Sequence, residues 1–266
     1  MIVVKAGGRA LEANLDKILE SLAKHYKLGE KLIFVHGGGD TVSRYERLMG
    51  LEPRFITSPS GIRSRYTDEK ELEVYVMVMA GKLNKEIVAR LQALGVKAIG
   101  LSGADGGLLK AIRKKKLIIV DERGRKRVIK GGYTGSIKEV ETRLIKRLVD
   151  EGYLVIVSPI ALSYDHELLN VDADQVAAKL AEALNAEKLL ILTDVEGVIV
   201  GGKVLKEIKV DEIERVKPKL GAGMNRKVLM CSEAVRSGVG EAIIFSGLIE
   251  NPLIALEQRL GTKIKK

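Results

Sequence analysis

Apolar runs of strand type alternate with stretches of helical period along most of this 266-residue chain, and that alternation limits the folds open to it. IVVKAGG (2–8) is followed by a helical pattern across LEANLDKILESLAKHYKLG and then by KLIFVHGGGD. A further helical stretch, ELEVYVMVMAGKLNKEIVARLQALG, leads to KAIGLSGAD. Strand, helix and strand in succession predict an α/β fold with a mainly parallel open sheet sandwiched by helices. The rhythm breaks at KLIIVDERGRKRVIK (116–130), two short strands around DERG that read as an inserted β-hairpin. Strand YLVIVSPIA resumes it, and the polar turn LSYDHE is the expected boundary between two lobes, 1–163 and 164–266. The second part carries NVDADQVAAKLAEALNAEK, strand KLLILTDVEGVIV, a long helix from about Met224, strand EAIIFSG and a last helix, NPLIALEQRLG.

Several classes of function are set aside by composition. No run approaches the roughly 18 apolar residues of a membrane span, and MIVVKAGG has no basic region leading into a long apolar stretch. A cytoplasmic protein with no membrane segment is therefore expected. The one cysteine, Cys231, cannot form an internal disulfide and fits a buried helix face. The three histidines show neither HxxxH nor HxH spacing, so no metal cluster is expected and His36 reads as a hydrogen-bonded turn residue. Charged residues make up 30% and tryptophan is absent, a balance found in heat-adapted proteins. The net charge of +10 is uneven: Lys110 to Lys130 holds ten Lys or Arg against Asp121 and Glu122, a local +8 that calls for an acidic partner.

Ligands of open α/β sheets bind beyond the carboxyl ends of the strands. The first strand ends in Lys5-Ala6-Gly7-Gly8 and the second in His36-Gly37-Gly38-Gly39. Glycine lets backbone N–H groups approach an anion, and each turn runs into a helix start whose dipole adds to the attraction. Lys5, at the end of an apolar strand, must either snorkel to water or meet a negative charge. Asn170, Asp172 and Asp174 stand at or before the start of an amphipathic helix; capping accounts for one of them. If Asn170 and Asp174 are both helical, they share a face, an amide beside a carboxylate able to hold a lysine. In KLGAGMNRKVL a glycine turn precedes Lys227, one turn into a helix, where a basic residue is unfavourable without an anion. No GxxxxGK[ST] loop, no GxGxxG, no HRD or DFG set and no GxSxG elbow is present. Phosphate transfer here would rely on lysines and glycine backbone.

VVKAGG, VHGGG, RYTDEKELEVYVMVMAGKLNKEIV, GLSGADGGLL, NVDADQVAAKLA, LTDVEGV and GAGMNRK, in that order from residue 2 to 227, resemble the amino acid kinase family in its N-acetylglutamate kinase branch. The resemblance implies attack by the side-chain carboxylate of an amino-blocked acidic amino acid on the γ-phosphate of ATP. By motif, Lys5 and Lys227 would neutralise the transferred phosphoryl group, and Asp174 would hold both lysines. Backbone N–H groups at Gly8 and Gly38, opened by Gly7, would bind phosphoryl oxygens. Arg65, in RYTD, would clamp the substrate α-carboxylate, with Asn170, Gly37 and Gly38 on the rest of the amino acid. The nucleotide would lie on the second lobe around Thr193, Asp194, Gly223 and Met224. Mg2+ would be held mainly by the ATP phosphates, with no carboxylate cage.

GIRSRYTD carries an additional basic residue, Arg63, and is similar to the version in kinases whose substrate is blocked by a small acidic carrier protein of LysW type. That resemblance implies aminoadipate, glutamate or both as the load, in lysine and arginine synthesis. The competing enzyme reading is a kinase of free N-acetylglutamate. A non-catalytic amino-acid sensor is disfavoured by Lys5, Asp174 and Lys227 being in place. The basic segment is either a solvated hairpin or a dock for the carrier through Arg63, Arg125, Lys126 and Arg127. A nucleic-acid site is disfavoured by 4% aromatic content and the lack of a recognised module. Arginine-inhibited relatives carry an extra helix ahead of the first strand, which here begins at Ile2, so a homodimer without that inhibition is expected.

Overall fold

The computed structural model describes all 266 residues. From the start come β1 (Ile2–Ala6), α1 (Gly8–Lys27), β2 (Leu32–His36) and α2 (Gly39–Leu48). A hairpin of β3 (Phe55–Thr57) and β4 (Arg63–Arg65) precedes α3 (Glu69–Val76), a π-helical stretch over Met77–Leu83 and α4 (Asn84–Ala93). Next are β5 (Ala98–Ser102), β6 (Leu109–Arg113), β7 (Lys116–Val120), β8 (Lys126–Lys130), β9 (Gly135–Val140) and α5 (Arg143–Asp150). Strands β10 (Leu154–Ser158), β11 (Ile160–Ser163) and β12 (Leu168–Asn170) lead to α6 (Ala173–Ala183) and β13 (Lys188–Thr193). The chain closes with β14 (Ile199–Val200), β15 (Lys203–Val204), β16 (Glu207–Lys209), α7 (Ile213–Val216), α8 (Ala222–Arg236), β17 (Glu241–Ser246) and β18 (Thr262–Lys265).

Eight strands make the central sheet in the order β16, β18, β17, β13, β1, β2, β10, β5. The run from β17 to β5 is parallel throughout, as the strand-helix alternation predicts, and the edge strands β18 and β16, parallel to each other, run antiparallel to it. Successive side chains of a strand point to opposite faces, and β1 shows the consequence. Val3 joins one core with Val35, Val157 and Ile191, under α6 and α8; Val4 joins the other with Phe34, Ile156 and Leu190, under α1 and α4. Lys5 follows Val3 in that alternation, so its side chain is sent to the α6 and α8 face.

Three segments differ from the sequence reading, one being KLLILTDVEGVIV, whose strand β13 ends at Thr193 while Ile199–Val200 joins a separate two-stranded pair. YLVIVSPIA is two strands in two sheets: Pro159 has no N–H for a ladder, so β10 ends at Ser158 and β11 pairs instead with β6 and β12. The polar turn at 163–167 is the tip of the β11–β12 hairpin. NPLIALEQRLG forms only a 3-10 turn, Pro252–Leu256, because Leu253, Ala255 and Leu256 are drawn into the core beneath α1. Gly261 (φ +71°) then turns the chain into β18, where Thr262 and Ile264 alternate inward. The basic segment is the expected hairpin, β7 paired with β8, with Gly124 at φ +75° in its loop.

Phe34 is the largest fully buried side chain, at the middle of β2. Phe34→Ala should cost about 3–5 kcal/mol. A chemical-denaturation midpoint that moves by the equivalent of less than about 1 kcal/mol would contradict this packing.

Candidate active site

Asp174 stands in the first turn of α6, 3% exposed, and both of its oxygens meet lysines. Lys5 Nζ lies 2.8 Å from Oδ1 and Lys227 Nζ 2.7 Å from Oδ2. The three residues come from β1, α6 and α8. Burial alone would push the Asp174 carboxyl up, but the Lys5 and then the Lys227 charge outweigh it and hold it well below the usual carboxylate range. Burial pushes the deeper Lys5 ammonium down against the attraction of Asp174, whereas at Lys227 the attraction to Asp174 wins and the pKa rises. Two ammonium groups on one carboxylate leave a local surplus of positive charge, which an anion can satisfy. Asp172 caps α6, its Oδ1 accepting from Asp174 N (3.0 Å) and Gln175 N (3.1 Å), while its Oδ2 meets Arg226 at 2.9 Å. A second ion pair thus ties the starts of α6 and α8 beside the first.

Helices α1, α2 and α8 all begin behind a glycine, Gly7, Gly38 and Gly221, with no side-chain cap on their free N–H groups. Such starts attract anions. The first two face each other: a Cβ added at Gly8 would lie 3.2 Å from Gly38 N and 3.3 Å from Gly39 N. One at Gly37 would lie 2.9 Å from Gly8 N, and one at Gly7 3.5 Å from Lys5 Nζ. Gly38 is needed for room as well, since its Cβ would fall 2.2 Å from Leu83 Cδ1. The glycine turns and Lys5 therefore share one place.

Arg65, on β4, is ion-paired with Glu46 of α2 and donates through Nη2 to Gly39 O (2.8 Å) and Ser43 Oγ (2.5 Å). Glu46 is fully buried; burial pushes its carboxyl up and the Arg65 charge opposes that. Asn170 ends β12, three residues ahead of α6, so it shares no helical face with Asp174. The Asp172 cap requires extended backbone and delays the helix to Ala173. Asn170 Nδ2 donates instead to Thr67 Oγ1 at 2.9 Å, two residues beyond Arg65. Sequence reasoning missed Ser43, Glu46 and Thr67. For the first two the only local signal is their i, i+3 spacing on α2.

Thr193 and Asp194 lie at the end of β13, next to β1, with Thr193 Oγ1 donating to Asp194 Oδ1 (3.0 Å) and Arg9 Nη1 3.2 Å from Asp194 Oδ2. Gly223 and Met224 are in the first turn of α8, and no hydrogen bond joins the two pairs. Arg63 is exposed and stacks on Phe55 at 4.3 Å. Strand β3 of the β3–β4 hairpin touches β7, so the strand pair bearing Arg63 adjoins the basic hairpin. Within that hairpin Arg125 and Arg127 both pair with Asp121, at 3.2 and 2.8 Å, and Lys126 pairs with nothing.

No three His, Cys, Asp or Glu side chains gather in a way that could hold a metal ion, and the oxygens of Asp174 are taken by lysines. The chain thus offers no cage for Mg2+, and a magnesium ion here would take its ligands from a bound polyphosphate. Cys231 is buried on α8, and burial pushes its thiol up. No helix is long and apolar enough to cross a membrane.

His36 is fully buried at the end of β2, Nδ1 3.1 Å from Gly37 O and Nε2 3.4 Å from the Asn84 amide. Burial, with Lys85 adding and the Gly37 carbonyl opposing, lowers its pKa from 6.5 to about 4. Between those values the unfolded chain takes up a proton that the folded one refuses, so stability falls as pH drops through this window. The full effect is about 3 kcal/mol. Denaturation midpoints from pH 7 to pH 4 should slope less steeply in His36→Gln than in the parent chain; equal slopes would contradict a neutral buried imidazole.

The model of the amino acid kinase family matches residues 1–246. LysW-aminoadipate/LysW-glutamate kinase of Saccharolobus solfataricus is 49% identical over 265 residues, 99% of each chain. A protein of Ignicoccus hospitalis that bears the same name provisionally is 55% identical over 265 residues, 98% of each chain. Among solved structures, carbamate kinase from Giardia lamblia bound to AMP-PNP superposes with a TM-score of 0.67 at 19% identity, over 100% of this chain and 98% of that one, a likeness of fold. With its glycine turns, its pair of lysines on one buried carboxylate and a family match that spans nearly its whole length, the chain belongs to the amino acid kinase family.

Proposed function

We propose that the chain transfers the γ-phosphoryl group of ATP to the side-chain carboxylate of α-aminoadipate or glutamate whose amino group is joined to a small acidic carrier protein of LysW type. The observation that carries the phosphotransfer is the pair of ammonium groups held on Asp174 beside two facing, uncapped helix starts. The names of relatives about half identical over the full length support the carrier-linked substrate. A carboxylate oxygen attacks the γ-phosphorus, the bond to the β–γ bridging oxygen breaks, and ADP leaves with that electron pair. The product is an acyl phosphate.

In such transfers positioning and electrostatic stabilisation supply most of the rate. Lys5 and Lys227 offset the charge of the transferred group, Asp174 orients both, and the N–H groups of Gly8 and Gly38 take phosphoryl oxygens, with Gly7 leaving them room. Arg65, held in place by Glu46, binds the α-carboxylate; Asn170, Gly37 and Gly38 meet the rest of the acid. Thr193, Asp194, Gly223 and Met224 hold the nucleotide, and Mg2+ on its phosphates lowers their charge when bound. The division of labour assigns residues 1–163 to the acid and carrier and 164–266 to ATP. Carrier docking on the basic hairpin is supported by its +8 charge and its contact with the strand pair bearing Arg63 and Arg65. The reading extends to a homodimer serving both lysine and arginine synthesis in a heat-adapted organism.

ATP turnover is to be compared with carrier-linked aminoadipate, carrier-linked glutamate and free N-acetylglutamate. A kcat/KM for a carrier-linked acid at least about 100-fold above the free acid is expected; equal efficiency would make this an N-acetylglutamate kinase. Lys227→Ala should lower kcat by about 100- to 1,000-fold while leaving the folded state in place. Activity within about tenfold of the parent would remove Lys227 from the reaction.

A further inference from the structure

The two faces of the β7–β8 hairpin differ. In an antiparallel pair, residues directly opposite lie on one face, and the register pairs Lys116 with Lys130, Ile118 with Val128 and Val120 with Lys126. Residues 117, 119, 127 and 129 occupy the other face, where Leu117, Ile119 and Ile129 are half-buried. Arg125 and Arg127 point that way too, each held by Asp121. The first face is open to solvent: Ile118 is 56% and Val128 65% exposed, side by side at its centre. Lys116 and Lys130 flank them at one end and Lys126 at the other.

We propose that this face, an Ile118–Val128 apolar pair framed by Lys116, Lys126 and Lys130, is the contact on which the acidic carrier seats, through an apolar side chain flanked by carboxylates. The inference rests on the carrier-linked reading of the substrate and narrows its docking hairpin to one face with an apolar centre. Two independent observations support it. Lys116 and Lys130 stand directly opposite each other, a destabilising pairing of like charges, and neither they nor Lys126 has an acidic partner in the chain. An acidic partner would relieve that repulsion. Two exposed β-branched side chains side by side are moreover an apolar anchor, and apolar centres ringed by charge are where interface energy concentrates. A second copy of this chain fits poorly, since it would bring three lysines against three. Position fits too: β7 touches β3, whose partner strand β4 holds Arg65, so the hairpin that would carry the docking face is one strand removed from that arginine. Arg63, Arg125 and Arg127 add to the field that steers the carrier in.

The test uses the full chain and carrier-linked aminoadipate. Ile118→Ser with Val128→Ser should raise the KM for that substrate about tenfold or more, leaving kcat and the KM for ATP unchanged. Replacing Lys116, Lys126 and Lys130 by Gln should raise the same KM and flatten its dependence on salt. Because these side chains are exposed, melting temperatures should stay within about 2 °C of the parent. Unchanged KM values in both variants, with the parent turning over the carrier-linked acid, would overturn the docking face while sparing the proposed function. A parent inactive on carrier-linked acids but active on N-acetylglutamate would overturn the function itself. A lower molar mass by light scattering in Ile118→Ser/Val128→Ser would assign the face to self-association and overturn the carrier contact.

Discussion

Everything at the candidate site is arranged around one buried carboxylate with an ammonium group on each oxygen. Taking three charges out of water is costly, and Coulomb attraction at 2.7 and 2.8 Å offsets that cost only while all three stay in register. Asp172 and Arg226 keep the helix starts aligned, and the parallel pairing of β1 with β13 and β2 fixes Lys5 beneath them. The set carries one more positive than negative charge and opens towards glycine N–H groups.

The central sheet makes this possible by a division between its faces. Period-two alternation sends Val4 into the core under α1 and sends Val3 and Lys5 the other way, towards α6 and α8. The carboxyl ends of β1 and β2 then deliver two glycine turns to the same point, where close backbone approach leaves no room for a Cβ at Gly37 and the Leu83 side chain crowds one at Gly38. The part of the site proposed to take the acid is built separately, on the β3–β4 hairpin and β12, where Arg65 and Asn170 are held by Glu46, Ser43 and Thr67.

Much of this was legible in the chain. Lys5 and the turns after it are local features: an ammonium that ends a buried strand needs a counter-charge, and glycines at strand-to-helix junctions bare the N–H groups of the helix start to an anion. The hairpin at 116–130 was legible for the same reason, its strands and loop being neighbours in sequence. Glu46 was not, because a glutamate in a surface-type helix looks solvated until a distant arginine removes it from water. Nor was the strand at Thr262, since IALEQRL has helical character and only the open edge beside β17 recruits the next residues into the sheet.

The sequence by itself determined the fold class, the glycine turns, the three charged residues of the candidate site and the excess of positive charge in one segment, because each follows from local pattern or composition. Tertiary structure decided the pairings. It set Lys5 and Lys227, 222 positions apart in number, on the two oxygens of Asp174. It also paired Arg125 and Arg127 with Asp121, leaving three lysines around Ile118 and Val128. Those outcomes depend on strand register and helix packing, which are set by burial across the whole chain and cannot be read from any one stretch of it.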